Sequence, residues 1–195
     1  MHHIYQTPGF ILKSIPTGEA NRQFFILTKD LGVIRATAQG VRLLKSKLRF
    51  KLTNFMPVKV SLVRGKEIWR IVGVERDEEI PFSFLSDNSA KIFVAKIFSL
   101  ILRLSQGEEK NEALYDMVRE AFIYTGNESD SKKLESLELV LGLRILKHLG
   151  YLRNLPQYCF LGEDNCVNES IVCEAEKCRR QIIEEINRTL QETHL

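Results

Sequence analysis

Arg22-Gln23-Phe24-Phe25-Ile26-Leu27-Thr28, Lys29-Asp30-Leu31-Gly32 and Val33-Ile34-Arg35-Ala36-Thr37-Ala38-Gln39 read, in that order, as strand, turn and strand. In the last of these, Ile34, Ala36 and Ala38 alternate with Arg35, Thr37 and Gln39, the two-residue period of a half-buried strand. Asp30 and Gly32 supply turn chemistry between the two apolar runs. Working outward, Phe10-Ile11-Leu12 follows Pro8-Gly9 and ends at the turn sequence Pro16-Thr17-Gly18-Glu19. Val58–Val63 and Ile68–Val74 flank Arg64-Gly65-Lys66 as a hairpin. About five short strands in under 80 residues predict a small β-barrel or sandwich, with an OB-fold as the natural candidate.

Asp77-Glu78-Glu79 and Pro81 mark a boundary, and the period then changes from two to that of a helix. Ser86 or Asp87 is placed to cap a helix running to about Leu104, with Gly107 beyond its end. A second helix is predicted over Asn111–Tyr124, stopped by Gly126-Asn127. A third spans Ser131–Leu149, with Leu134, Leu137, Leu141, Ile145 and Leu149 at helical spacing and Gly150 at its end. A last helix is predicted from about Glu174, carrying Ile182, Ile183, Ile186 and Leu190. The expected class is α+β: a barrel domain over residues 1–80, then a helical domain with a cysteine-containing tail over 81–195.

Charge separates the same halves. Residues 1–76 hold 14 Lys+Arg and four acids, a net of +10, whereas residues 77–195 hold 14 bases and 21 acids, a net of −7. A basic β half points to nucleic acid as a partner. The densest basic stretch is Gly40-Val41-Arg42-Leu43-Leu44-Lys45-Ser46-Lys47-Leu48-Arg49-Phe50-Lys51-Leu52. Lys45, Lys47, Arg49 and Lys51 recur at every second position, with Leu48, Phe50 and Leu52 between them. Read as a strand, this puts four cations on one face and the apolar side chains on the other. A polyanionic backbone relieves their mutual repulsion and releases counterions. The bland alternative is a solvated edge strand protected by its lysines. Arg35, Arg42, Lys45, Lys47, Arg49 and Lys51 are the candidate DNA-binding residues, and Lys59, Arg64 and Arg70 lie in the same half. Trp69, Phe50, Phe55 and Tyr5 are available to stack on bases, although aromatics in a small barrel more often fill its core.

Other chemistries find little support. The four histidines are His2, His3, His148 and His194, and only His148 falls inside a predicted element. No glycine-rich phosphate loop, nucleophile elbow or metal triad is present, so an enzyme is not expected. No apolar run nears the roughly 20 residues that span a bilayer, and the N-terminus lacks a signal-peptide layout. A cytoplasmic protein with free thiols is expected. Cys159, Cys166, Cys173 and Cys178 lack the tight pairs of a tetrahedral thiolate site, so no zinc or other cofactor is expected. A generic RNA-binding OB-fold protein of the translation apparatus is the alternative that charge and strands leave open.

Five blocks carry a family resemblance. Gly9-Phe10-Ile11-Leu12-Lys13-Ser14, Gly18-Glu19-Ala20-Asn21-Arg22 and Leu27-Thr28-Lys29-Asp30-Leu31-Gly32 resemble the opening of RecO proteins. Gly40-Val41-Arg42 with Lys45-Ser46-Lys47-Leu48 resembles their basic strand, and Leu146-Lys147-His148-Leu149-Gly150-Tyr151-Leu152 resembles a helix end before a cysteine-containing tail. The resemblance runs over roughly residues 4–155. It implies an N-terminal OB-fold, a helical second domain and DNA binding, chiefly to single strands but also to duplex. It also implies the partners SSB, RecR and RecA, with a role in loading RecA on SSB-coated DNA and annealing complementary strands. Some relatives bind zinc through two Cys-x-x-Cys pairs, a spacing this chain does not reproduce, and the chain looks short for the family. In the family the helical domain receives the acidic, apolar tail of SSB. Leu143, Leu146 and Leu149 are candidate apolar lining for such a groove, with Arg144 and Lys147 as its cations.

Overall fold

The computed structural model describes residues 3–80, 87–105, 107–126, 130–152, 158 and 167–193. Five strands, β1 (Ile4–Thr17), β2 (Asn21–Thr28), β3 (Gly32–Ala38), β4 (Pro57–Arg64) and β5 (Trp69–Arg76), close a barrel in the order β1-β2-β3-β5-β4. This is the OB-fold. β1 is long enough to pair antiparallel with two neighbours, through Ile4–Phe10 with β4 and through Gly9–Thr17 with β2. The register shifts between Ile11 and Lys13, and such a bulge lets a strand bend from one sheet face into the next. β3 and β5 close the barrel by a short parallel pairing, Ala36 with Trp69 and Thr37 with Arg70.

The barrel core follows the alternation read from sequence. Ile34, Ala36 and Ala38 point inward with Ile11, Phe24, Ile26, Val60, Leu62 and Ile71. Phe10, Ile11 and Leu12 are nevertheless all buried in succession. Ile11 faces the barrel interior, whereas Phe10 lies 5.4 Å, ring to ring, from Tyr115. Tyr115 belongs to the segment 106–115, which groups with residues 1–79 as one compact unit. That segment packs on the outer side of β1 at Phe10.

The same segment meets the barrel at three further points. Gly32 has φ +71°, and a Cβ there would collide with the Glu109 carbonyl oxygen. Lys29 pairs with Glu112 at 3.2 Å. Glu108 accepts hydrogen bonds from the Trp69 indole N–H, at 3.1 Å, and from the Arg64 guanidinium.

The second compact unit comprises residues 80–105 and 116–195. Its described helices derive from α1 (Asn88–Leu104), α2 (Glu112–Gly126), α3 (Ser131–His148), α4 (Glu169–Lys177) and α5 (Arg179–Glu192). Asp87 caps α1 by accepting from the Ser89 N–H, and Asp130 caps α3 by accepting from the Lys132 N–H. Ser86, the other candidate cap, lies outside the described residues. α3 is the central helix and packs on α1, α4 and α5. Phe93 and Phe98 of α1 pack on the ring of Phe122 of α2.

The last predicted helix differs from expectation. It begins at Glu169, capped by Asn168, and breaks at Cys178 into α4 and α5. Ala175 and Ile182, one on each side of the break, both bury against Val140 and Leu143 of α3. None of the described helices is long and apolar enough to cross a membrane.

Candidate nucleic-acid interface

The basic stretch 40–52 is not a strand. It is a chain of turns between β3 and β4. The Leu43 and Gly40 carbonyls accept from the Ser46 and Leu43 N–H groups, and the Leu48 carbonyl accepts from both Lys51 and Leu52. The Leu48-to-Leu52 bond is one helical turn. Val41, Leu48 and Leu52 pack against the barrel core. Leu48 and Leu52 are four residues apart, so in a turn they share a face, whereas Phe50, two residues from each, points the opposite way. The expected division, with cations out and Leu48, Phe50 and Leu52 in, is therefore corrected at Phe50. It is 81% exposed and stands among the cations.

Lys45, Lys47, Arg49 and Lys51 are all exposed, and residues 39–56 contain no acid. Among the described residues none of these four side chains meets a carboxylate. Cations elsewhere on the unit do. Lys59 sits 3.3 Å from Glu79 and 3.7 Å from Asp77; its hydrogen bond to Glu79, reinforced by the charge of Asp77, raises its pKa above the ordinary lysine value. Lys29 pairs with Glu112, and Arg64 with Glu108. Lys29, Lys59 and Arg64 are thus paired on the barrel wall, while the turn segment concentrates four cations that meet no described carboxylate.

The remaining predicted cations occupy other places. Arg42 opens the segment: its N–H donates to the Ala20 carbonyl, and its guanidinium donates to the Gly18 carbonyl at 2.8 Å. It ties the segment to the β1–β2 turn. Arg35 is exposed on β3, and Arg70, paired with Thr37 across the short parallel contact, is exposed beside it. Lys51 stands between two hollows. One, of about 450 Å³, is lined by Leu48, Lys59, Ser61 and Gln6. The other, of about 900 Å³, is lined by Phe50, Met56, Lys59, Arg76 and the acids Glu75, Glu78 and Glu79.

The other proposed stacking residues are spoken for. Trp69 is 5% exposed, its ring edge-on to Tyr5 at 5.2 Å and its face under the Arg64 guanidinium at 4.7 Å. Phe55 is half-buried, with its N–H donated to the Ile11 carbonyl.

The predicted tail groove is corrected too. Leu143, Arg144 and Leu146 are buried in α3, Leu149 is half-buried, and only Lys147 of the five is exposed. α3 packs on α1, α4 and α5, so Leu143 and Leu146 are core. An apolar groove of about 240 Å³ lies instead among α1, α3 and α5, lined by Ile97, Leu100, Leu139, Ile183, Ile186 and Leu190. Lys96, held 2.8 Å from Glu138, stands at it. In the tail, Cys173 and Cys178 are free thiols; Cys159 and Cys166 lie outside the described residues. Among the described residues no cluster of three or more metal-ligating side chains occurs.

Comparison with known proteins adds the lineage. Residues 1–76, the whole of the barrel sequence, match the family described as the recombination protein O N terminal domain. Over its barrel the chain is similar to RecO proteins. "DNA repair protein RecO" of Gloeothece citriformis is 33% identical over 121 residues, 62% of this chain and 42% of the relative. The protein of the same name from Acaryochloris marina is 35% identical over 118 residues, 60% of this chain and 40% of the relative. That of Clostridium novyi is 27% identical over 160 residues, 82% of this chain and 61% of the relative. The chain therefore spans less than two thirds of the length of these RecO relatives.

Proposed function

We propose that this protein serves DNA repair and recombination by holding single-stranded DNA on the turn segment between β3 and β4. The observation that carries the reading is the cluster Lys45, Lys47, Arg49 and Lys51, exposed and unmatched by any described carboxylate, while Lys29, Lys59 and Arg64 are paired. Each phosphate neutralised on a single strand contributes about −0.7 to the slope of log K against log salt. Replacing all four cations with Ala should lower affinity for a labelled oligonucleotide and flatten that slope by roughly 3. The fold should persist, because exposed charges contribute little to stability. Unaltered affinity and slope, with an intact circular dichroism spectrum, place the DNA elsewhere.

In this reading the protein is a recombination mediator. It anneals complementary strands coated by SSB and helps RecR load RecA. The helical unit takes the SSB tail, an acidic peptide ending in apolar residues, in the groove among α1, α3 and α5. The groove is favoured by its apolar lining and by Lys96, a cation an acidic peptide can engage. The relatives' shared description as DNA repair proteins supports the repair role over RNA binding. Equal or tighter binding to RNA of the same sequence, without annealing of SSB-coated strands, would favour a translation-associated role instead.

A further inference from the structure

We infer that Phe50 is the stacking platform for an unpaired base, and that it gives the turn segment its preference for single strands over duplex. The inference rests on the proposed DNA site. Four cations alone attract any polyanion; they do not distinguish a single strand from a double helix. Single-strand binders add an aromatic ring on which a splayed base can lie. Of the aromatics considered, Trp69 is buried with both its indole N–H and its ring face occupied, and Tyr5 is 39% exposed and packed edge-on against Trp69 and His3. Phe50 is open.

Its position follows from the turn. Leu48 and Leu52 enter the barrel end as one helical pair, which turns the intervening Phe50 outward with Arg49 and Lys51 on either side. The Arg49 guanidinium lies 5.9 Å from the Phe50 ring centre, so a base on the ring has a phosphate partner adjacent to it. The hollow beside Phe50 is lined by three acids, Glu75, Glu78 and Glu79, and three cations, Lys51, Lys59 and Arg76, so its charges balance. The phosphates are therefore drawn to the unmatched Lys47 and Arg49, and the uncharged base lies towards the hollow. In a duplex the bases are stacked on one another and offer Phe50 no face.

The test compares Phe50→Ala, Phe50→Leu and Phe50→Trp in the full chain, titrated with a single-stranded oligonucleotide and with its duplex. Phe50→Ala should lose roughly fivefold or more in single-strand affinity, keep the salt slope and keep its duplex affinity. Phe50→Leu, apolar but without a π face, should behave like Phe50→Ala. Phe50→Trp should retain affinity, and its exposed emission should be quenched by single strands but not by duplex. If wild type binds and the cation variant does not, while Phe50→Ala binds single strands as tightly as wild type and Phe50→Trp is unquenched, the stacking role is overturned and the DNA site stands. If Phe50→Ala weakens only the capture of an acidic peptide, Phe50 serves a protein partner and the inference also falls. Failure of wild type to bind single strands removes the proposed site itself.

Discussion

Gly32 shows how a single position can be legible for one reason and essential for another. Lys29-Asp30-Leu31-Gly32 reads as a turn, and Gly32 indeed takes φ +71°, where an L side chain costs about 1–2 kcal/mol. Nothing in the sequence says that the carbonyl of the distant Glu109 occupies the space where its Cβ would be. Gly18, with φ +61° and open space around it, separates the two effects. Gly18→Ala should lower stability by about 1 kcal/mol from backbone strain alone. Gly32→Ala should cost appreciably more, because the segment 106–115 must also move, and its urea midpoint should fall further. Equal midpoints for the two variants would show that the close approach of Glu109 carries no weight. Phe50 teaches the same lesson in reverse. Lys-x-Lys-x-Arg-x-Lys has strand period, yet Leu48 and Leu52 also stand at helical spacing, and so short a stretch satisfies both templates. The barrel's open end decides between them, since it must be plugged by Val41, Leu48 and Leu52. That demand is tertiary and leaves no local mark.

Element ends are easier to read than element breaks. The caps at Asp87 and Asp130 are the residue types that accept from orphan N–H groups, and both sit one residue before their helices. Asp130→Ala should destabilise the helical unit by about 1 kcal/mol in chemical denaturation, and Asp130→Asn by little. If the two are indistinguishable, the cap bond contributes nothing. The break at Cys178 has no Gly or Pro to announce it. Glu112, first in α2, adds a pH dependence. Its hydrogen bonds to Lys29 and Lys110, with the charges of both, lower its pKa. A carboxylate with a lowered folded pKa contributes stability above the ordinary carboxylate range and loses it as pH falls through the folded value. Stability of wild type should therefore fall on acidification from just above that range to below it, and Glu112→Gln should flatten this limb. An unchanged acid limb in Glu112→Gln would assign the effect to other carboxylates.

Across the whole chain, the change of period near residue 80 coincides with a change in the sign of the charge, which is why a basic β part and an acidic helical part are readable from the residues alone. The surfaces that would use those charges are not readable so directly. Asp77, Glu79, Glu108 and Glu112 neutralise barrel cations although they follow the boundary in sequence. The unmatched charge relevant to DNA is thereby densest on one loop. For an acidic tail peptide the charge balance is reversed. The helical part is net negative, so long-range attraction is weak or adverse. Binding must come from apolar contact with Leu100, Leu139, Ile186 and Leu190, and from Lys96 at short range. Lys96 already pairs with Glu138, so the peptide's carboxylate has to compete with Glu138 for it. Three consequences are measurable on the intact protein with a synthetic tail peptide and an oligonucleotide. Peptide affinity should depend on salt much less than DNA affinity does. Lys96→Glu should weaken peptide binding and leave DNA binding unchanged, while the four-alanine loop variant does the opposite. The two ligands should bind together, each leaving the other's affinity unaltered. Displacement of bound peptide by single-stranded DNA, with Lys96→Glu silent, would mean that the basic loop serves both ligands and that the groove among α1, α3 and α5 serves neither.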